Sequence, residues 1–380
     1  MEKHDPVTYW MVVPASDLMT PATQPRTSNM IGIDSRIVIA GAGSIGRYVG
    51  GRLAVAGKAV TLLVRPRMIE GLQQEGLKII DPDGSEKLVE PGQFSLTIDP
   101  EIAFRQADII LVAVKSGATE EMAKSIRESA PSNVIVVSLQ NGVGNADTLR
   151  QYLPPEATVV SGMVPFNVVQ SEPGVSPLNV RRTMPGTILI DDTLDRLAEV
   201  LSVPGLSVQV HSDMKGILWG KLLINLNNAP NALSNLPLVE QLADRNWRLL
   251  IADQMIEGLK VVRAHGITPA KVQGVSPSML PWILRLPNFL FRIVAARMLA
   301  INPHARSSMW EDLSRGRATE IDYLQGVIVR LADEKNIAVP LTRKVLACVK
   351  RAEGKSLRSH SVEEVREMKI QERGTDNSHS

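Results

Sequence analysis

The sequence predicts an α/β domain with a mostly parallel sheet followed by an all-α domain, and three observations carry that reading. Short aliphatic and β-branched runs alternate with helical patterns from Ser35 onward, those runs are apolar at nearly every position, and after about Asp213 only segments of helical period remain. A strand apolar on both faces is one buried on both faces, the condition of a parallel sheet covered by crossover helices. A chain of 380 residues suits about two domains of ordinary size.

Residues 1–34 hold short apolar pieces broken by prolines, without the basic start and unbroken apolar stretch of a secretory leader, and read as a flexible extension. The first domain is expected over 35–213. Its core strands are Arg36–Ala40, Ala59–Val64, Ile109–Val114 and Val134–Val137, with Gly46–Ala56, Arg67–Glu75, Thr119–Glu128 and Asp147–Leu153 as crossover helices. Asp81-Pro82-Asp83-Gly84 marks a tight turn in a strand insertion. Further strands are expected over Ala157–Val169, Gly186–Ile190 and Leu206–Val210. In the second domain, 214–355, the segments Lys215–Leu233, Leu236–Ala264, Ser307–Asp333 and Thr342–Ala352 read as helices, and 356–380 as a frayed polar tail. Trp282–Ile301 is strongly apolar, but Arg285, Pro287, Arg292 and Arg297 interrupt it. A buried helical segment with snorkelling arginines is expected there rather than a membrane span.

Composition removes several function classes. Forty-two Lys plus Arg against forty Asp plus Glu leave a formal charge of +2, so no global field holds nucleic acid or an anionic membrane. Any anionic partner must be bound locally. Cys348 is the sole cysteine, which excludes an internal disulfide and favours a reducing compartment, the cytoplasm; its apolar setting between Val345 and Val349 reads as packing rather than a reactive thiol. Six scattered histidines show no metal-binding spacing, so no metal is expected.

Gly41-Ala42-Gly43-Ser44-Ile45-Gly46 fits G-x-G-x-x-G, and it both follows a buried strand and opens a helix. Gly41 permits the tight turn, Gly43 lets a pyrophosphate approach the backbone, Gly46 lets helix and strand pack, and the first-turn amides at Ser44 and Ile45 point at the phosphates. The first domain is therefore Rossmann-type. After the second strand, where an acid would hold the ribose of NAD, stands Arg65, with Arg67 beyond Pro66. A guanidinium there suits a 2′-phosphate, so the expected cofactor is NADP(H); a plain surface arginine is the other reading. Lys115 ends the third core strand and faces the same crevice, as a phosphate or ribose contact or as a solvated lysine.

On the otherwise apolar segment Lys215–Leu233, Lys221, Asn225 and Asn228 fall at i, i+4 and i+7 as one polar stripe. A solvated stripe would use Glu, Lys or Gln; asparagines, poor helix formers, point to hydrogen bonding inside a cleft. A partly dry lysine has its pKa pulled toward neutrality, where it serves as a general acid.

Together with GAGSIG, Lys115, Leu139-Gln140-Asn141-Gly142 and Leu218-Trp219-Gly220-Lys221-Leu222-Leu223-Ile224-Asn225, the segments Ser307-Ser308-Met309-Trp310-Glu311-Asp312 and Arg315–Tyr323 resemble the ketopantoate reductase family from about Arg36 to Ala352. The resemblance implies a cleft between a Rossmann domain and a helical domain, and NADPH-dependent reduction of a small 2-oxo acid. On the matched positions Lys221 would be the proton donor, Glu320 its partner near the substrate hydroxyl, Asn141 a nicotinamide-side and lysine-positioning group, and Asn225 and Ser308 substrate contacts. Read without the resemblance, Glu320 is a surface ion-pair residue, Asn141 a turn former before Gly142, and Ser308 a helix cap. The chain departs from the family pattern at Ala229 before Pro230, with Asn227, Asn228 and Asn231 nearby, and at His304-Ala305-Arg306, where a further asparagine is usual. A different 2-oxo acid, or an NADP-sensing protein without turnover, is the alternative. Oligomeric state is open, a homodimer being one option.

Overall fold

In the computed structural model, which describes residues 31–170, 178–296 and 302–369, the apolar runs form strands β1 (Ile37–Ala40), β2 (Val60–Leu63), β3 (Leu77–Ile80), β4 (Glu86–Val89), β5 (Ser95–Thr97), β6 (Ile109–Val112), β7 (Ile135–Ser138), β8 (Thr158–Met163), β9 (Val168–Gln170), β10 (Asn179–Arg182), β11 (Ile188–Ile190) and β12 (Val208–Val210). Eight of them make one sheet in the order β12-β11-β8-β7-β6-β1-β2-β5, parallel except where β11 meets β8. The all-apolar reading of β1, β6 and β7 follows from their central position: every residue of all three is buried.

A second sheet, β4-β3-β10-β9, was only hinted at by the Asp81–Gly84 turn. Helix α1 (Ser44–Val55) lies between the two sheets, and adjacent glycines make this possible. A Cβ on Gly50 would come within 2.6 Å of Leu62 and 2.8 Å of Ile39, in the large sheet, and one on Gly51 within 2.6 Å of Ile79, in the small one. Tyr48 and Arg52 of the same helix reach Asp81, Tyr48 Oη donating at 2.6 Å and Arg52 forming a buried ion pair.

Several expected elements break where the chain supplies a reason. Ala157–Val169 is not one strand: Pro165 cannot donate to a ladder, and β8 and β9 join different sheets. Lys215–Leu233 splits into Met214–Asn225 and Asn228–Ser234. Pro230 has no N–H for the Leu226 carbonyl, which instead accepts from the buried Gln325 amide at 2.9 Å. Leu236–Ala264 splits at Asp244, whose carboxylate caps the helix Arg245–Ala264 by accepting from the Asn246 amide. Ser307–Asp333 becomes the helix Ser308–Ser314, a 3₁₀ turn Ile321–Tyr323 and the helix Gln325–Glu334, interrupted after Gly316, whose φ is +60°. The segment after Thr342 begins earlier, with Pro340 in its first turn.

Three expectations need correction. The tail is not frayed throughout: Val362–Glu367 is a helix with a Ser361/Glu364 capping box, and Val362 and Val365 are buried in the helical core. Of the extension 1–34 only 31–34 are described, and there Ile31 packs on the sheet core while Gly32 and Ser35 close a turn, so that end is anchored. As far as residue 296, where the described part of Trp282–Ile301 ends, there is no single buried helix. The segment forms Leu280–Arg285 and Asn288–Val294 around Pro287, with Trp282, Phe289 and Ile293 two-thirds or more exposed or nearly so, at 69%, 65% and 72%. Arg285 pairs with Asp253 and Arg292 is exposed, while Arg297 lies outside the described residues.

The helical region gathers its core around Trp219, Leu223, Trp247, Val262, Ile328 and Val345. Cys348 belongs to that core, 1% exposed, and burial pushes its thiol up to about 11, so it stays an inert apolar group at neutral pH. Among the described residues no helix is long and apolar enough to cross a membrane.

Candidate active site

The glycine loop sits between β1 and α1, at the carboxyl ends of the parallel strands. Gly41 has φ +98°, and a Cβ there would lie 2.5 Å from the Val114 side chain; one on Gly46 would lie 2.3 Å from the Gly41 carbonyl. Both are structural needs. Gly43 differs, because a Cβ on it would meet nothing within 4 Å. The space over Gly43 is a cradle that a side chain would fill. No side chain caps α1, and its first turn, which includes Ser44 and Ile45, has no acid, so its first amides face that space without a protein anion. These residues fit a dinucleotide pyrophosphate.

Across the crevice Lys221, on Met214–Asn225, donates from Nζ to Asn141 Oδ1 at 2.8 Å and to the Val164 carbonyl at 2.6 Å. Part of its stem opens to the cleft, yet its ammonium has lost most of its water. Burial pulls its pKa down to about 8, with Glu320 pulling the other way. Asn141 follows β7 in the loop turned by Gly142, whose φ is +83°. Its amide works at both ends: Oδ1 accepts from Lys221 while Nδ2 donates, at a long 3.5 Å, to Glu320 Oε2. Glu320 Oε1 accepts from the Ser116 amide at 3.1 Å, with Ser116 Oγ 3.2 Å away. A chain of hydrogen bonds thus runs from the ammonium through one amide to a carboxylate.

Asn141, Asn225, Asn228, Ser308, Met309, Asp312, Glu320 and Leu324 line one small cleft. Lys221, Asn225 and Asn228 were expected on a single helix. The break after Asn225 puts Asn228 at the start of the next helix and still leaves it on the cleft. Ser308 is not the cap. That role belongs to Ser307, whose Oγ accepts from the Trp310 amide at 3.2 Å and donates to the Asn228 carbonyl at 2.9 Å, leaving Ser308 toward the cleft.

Residue-by-residue reading missed the support beneath the site. Ser116 Oγ donates to the Asn141 carbonyl at 2.8 Å, Asn145 Nδ2 donates to the same oxygen at 2.7 Å, and Gln140 and Asn145 meet at Thr119 Oγ1. The available signal was polarity just past two largely apolar strands, at Ser116 after β6 and Gln140 after β7. Lys115, expected as a crevice contact or a solvated lysine, is paired in the structure with Asp312 of the cleft lining. Its ammonium reaches the helical region, pairing with Asp312 at 2.7 Å and donating to the Ala318 carbonyl at 2.8 Å. Burial raises the Asp312 pKa, and the Lys115 hydrogen bond and charge hold it back.

With that geometry in view, the family models described as "Ketopantoate reductase PanE/ApbA" and "Ketopantoate reductase PanE/ApbA C terminal" match residues 37–193 and 213–353. The chain belongs to the ketopantoate reductase family. It is an oxidoreductase acting on a CH–OH group. The 2-dehydropantoate 2-reductase of Halobacterium salinarum is 30% identical over 327 residues, 84% of this chain and 99% of that protein. The crystal structure of a PanE/ApbA family ketopantoate reductase from Ralstonia eutropha is 32% identical with a TM-score of 0.70, covering 84% of this chain and 98% of that one. A D-mandelate dehydrogenase determined with NADH and anilino(oxo)acetate shares the fold, with a TM-score of 0.69 at 21% identity, and covers 84% and 98%.

Departures from the family pattern now have positions. Asn231 is fully buried and spent on the protein: it donates to the Leu236 carbonyl and Gln241 and accepts from the Ser307 amide. Of the three asparagines around Pro230, Asn228 is the one on the cleft. Ala305 has an apolar side chain with no hydrogen bond to offer, and its backbone pairs with Asn302 and Leu238.

Proposed function

We propose that the chain reduces 2-dehydropantoate to pantoate with NADPH, a step toward pantothenate and coenzyme A. One observation carries the reading: a dehydrated ammonium, Lys221, is held by Asn141 beside a polar cleft, and Asn141 follows β7 at the same carboxyl end of the sheet where the glycine cradle follows β1. Gly41, Gly43, Ser44, Ile45 and Gly46 would hold the cofactor's pyrophosphate and Arg65 its 2′-phosphate, with Asn141 on the nicotinamide side. When bound, the reduced nicotinamide supplies hydride to the keto carbon. As the carbonyl oxygen gains negative charge, Lys221 stabilises it and delivers the proton. Asn141 fixes the direction of the ammonium, and Glu320 holds the other end of that amide and offers a carboxylate to the substrate hydroxyl. Asn225, Asn228 and Ser308 orient the remaining polar groups of the acid, and nearby apolar Met309 and Leu324 limit water.

The test is steady-state NADPH oxidation by purified protein across a panel of 2-oxo acids. The expected result is the highest kcat/KM with 2-dehydropantoate. A different preferred acid would move the substrate assignment and fit the apolar Ala305. Silence across the panel despite tight NADPH binding would make the protein a sensor.

Cofactor choice has its own test. Arg65 is exposed, precedes α2 (Pro66–Glu75) as its N-cap, and has no ion pair among the described residues. Arg65→Ala is expected to weaken NADPH by about tenfold or more while leaving NADH nearly unchanged, since only the former loses a charge-assisted contact worth roughly 1.5–3 kcal/mol. Equal loss for both cofactors, measured by fluorescence titration, would refute the assignment.

A further inference from the structure

We propose that Arg317, from the helical region, completes the 2′-phosphate site with Arg65 and Arg67, so that the cofactor's phosphate is gripped from both sides of the cleft. This rests on the NADP(H) reading above and adds to it a residue outside the Rossmann sheet.

The placement comes from backbone and side-chain contacts. The helix Ser308–Ser314 ends in a turn closed by Gly316, and the Arg317 amide donates back to the Asp312 carbonyl at 2.8 Å, which projects the following side chain off the helix end. That turn is fastened over the end of β6: Lys115 pairs with Asp312 and donates to the Ala318 carbonyl. In the large sheet β6 and β2 flank β1, so the end of β6 stands two strand spacings, roughly 10 Å, from the end of β2, where Arg65 begins α2. A half-buried arginine side chain projecting from the turn is long enough to reach the anion site at β2.

Charge supports the same grouping. The Arg317 pKa is lowered first by partial burial, then by Arg315, and against Asp312 also by Arg67 and Arg65, so both guanidinium groups at β2 lie close enough to act on Arg317. Asp312, which acts on Arg317, is already paired with Lys115, and Glu311 lies in the field of Arg317 and Arg315 as well. Among the described residues Arg65, Arg67 and Arg317 form no ion pair. Arg67 also acts on Arg47, which is 2% exposed and lowered to about 10 chiefly by burial. Arg47 itself is spent on neutral partners, donating to Gln170 Oε1 at 2.6 Å and to the Gly43 carbonyl. Two carboxylates, Glu311 and Asp312, stand near Arg317, but the arginines outnumber them, and the excess of positive charge costs free energy that a dianion would offset. A phosphate at the adenosine ribose carries that charge.

The experiment measures binding alone. Adenosine 2′,5′-bisphosphate and adenosine 5′-monophosphate are titrated calorimetrically into wild-type protein, Arg65→Ala, Arg317→Ala and Arg317→Lys, with NADPH and NADH as a second pair. Arg317→Ala is expected to weaken the bisphosphate and NADPH by about tenfold or more, with the monophosphate and NADH within about twofold, and Arg317→Lys to recover part of the loss. If Arg65→Ala shows that selectivity and Arg317→Ala does not, the role of Arg317 is overturned and the cofactor assignment stands. If neither variant discriminates, the cofactor assignment itself falls. A circular-dichroism melt of each variant checks that the fold is retained.

Discussion

Lys221→Ala is expected to lower kcat by about a hundredfold or more, the usual scale of a lost general acid, with NADPH affinity nearly unchanged. The ammonium meets the Asn141 amide and the Val164 carbonyl, and on the proposed mechanism its loss removes the group that serves the carbonyl oxygen as it gains charge. The pH dependence gives an independent check. A lysine whose pKa is lowered to about 8 is protonated below that value and able to donate; above it the proton is absent. In the reduction direction kcat should therefore be level at neutral pH and fall by about tenfold per pH unit above about 8. A profile level to pH 10, or an alanine variant with near-normal turnover, would move the acid elsewhere.

Gly43→Val is the second large effect, and it separates folding from binding. Gly43 has φ −71° and nothing within 4 Å of its Cβ position, so valine is expected to leave the thermal melt almost unchanged. Its methyl groups would occupy the space through which a pyrophosphate reaches the first-turn amides of α1. Loss of two or more charge-assisted hydrogen bonds predicts dinucleotide affinity reduced by roughly a hundredfold or more. Gly46→Ala is the contrasting control, because its Cβ would stand 2.3 Å from a backbone carbonyl and destabilise the fold itself. Normal NADPH and NADH binding by a folded Gly43→Val protein would exclude the cradle as the pyrophosphate site.

The two halves of the site were unequally legible. GAGSIG and Lys221 stood out because each contrasts with its immediate neighbours: glycines between a strand and a helix, and one cation on an apolar helix. Ser116 and Asn145 showed only their polarity, which does not point to a site until the chain brings them onto Asn141. Ser307 and Ser308 are adjacent in sequence and opposite in role. Which one caps the helix depends on where the first turn starts, a choice shared with the Asn228 carbonyl and the Asn231 amide.

By itself the sequence determined what depends on neighbours within a few residues: the buried parallel strands, the glycine loop that opens α1, the cationic end of β2 and the polar stripe at Lys221. Tertiary structure decided whatever depends on partners far along the chain. The second sheet forms by pairing β3 with β10, about a hundred residues apart. The break at Leu226 is stabilised by Gln325, and the tail helix Val362–Glu367 by a core it cannot build alone. Lys115 meets Asp312, and Glu320 reaches Ser116 and Asn141, because the helical region folds back over the ends of the sheet. Local periodicity records which face of a segment is apolar; it does not record which distant polar group will meet the other face.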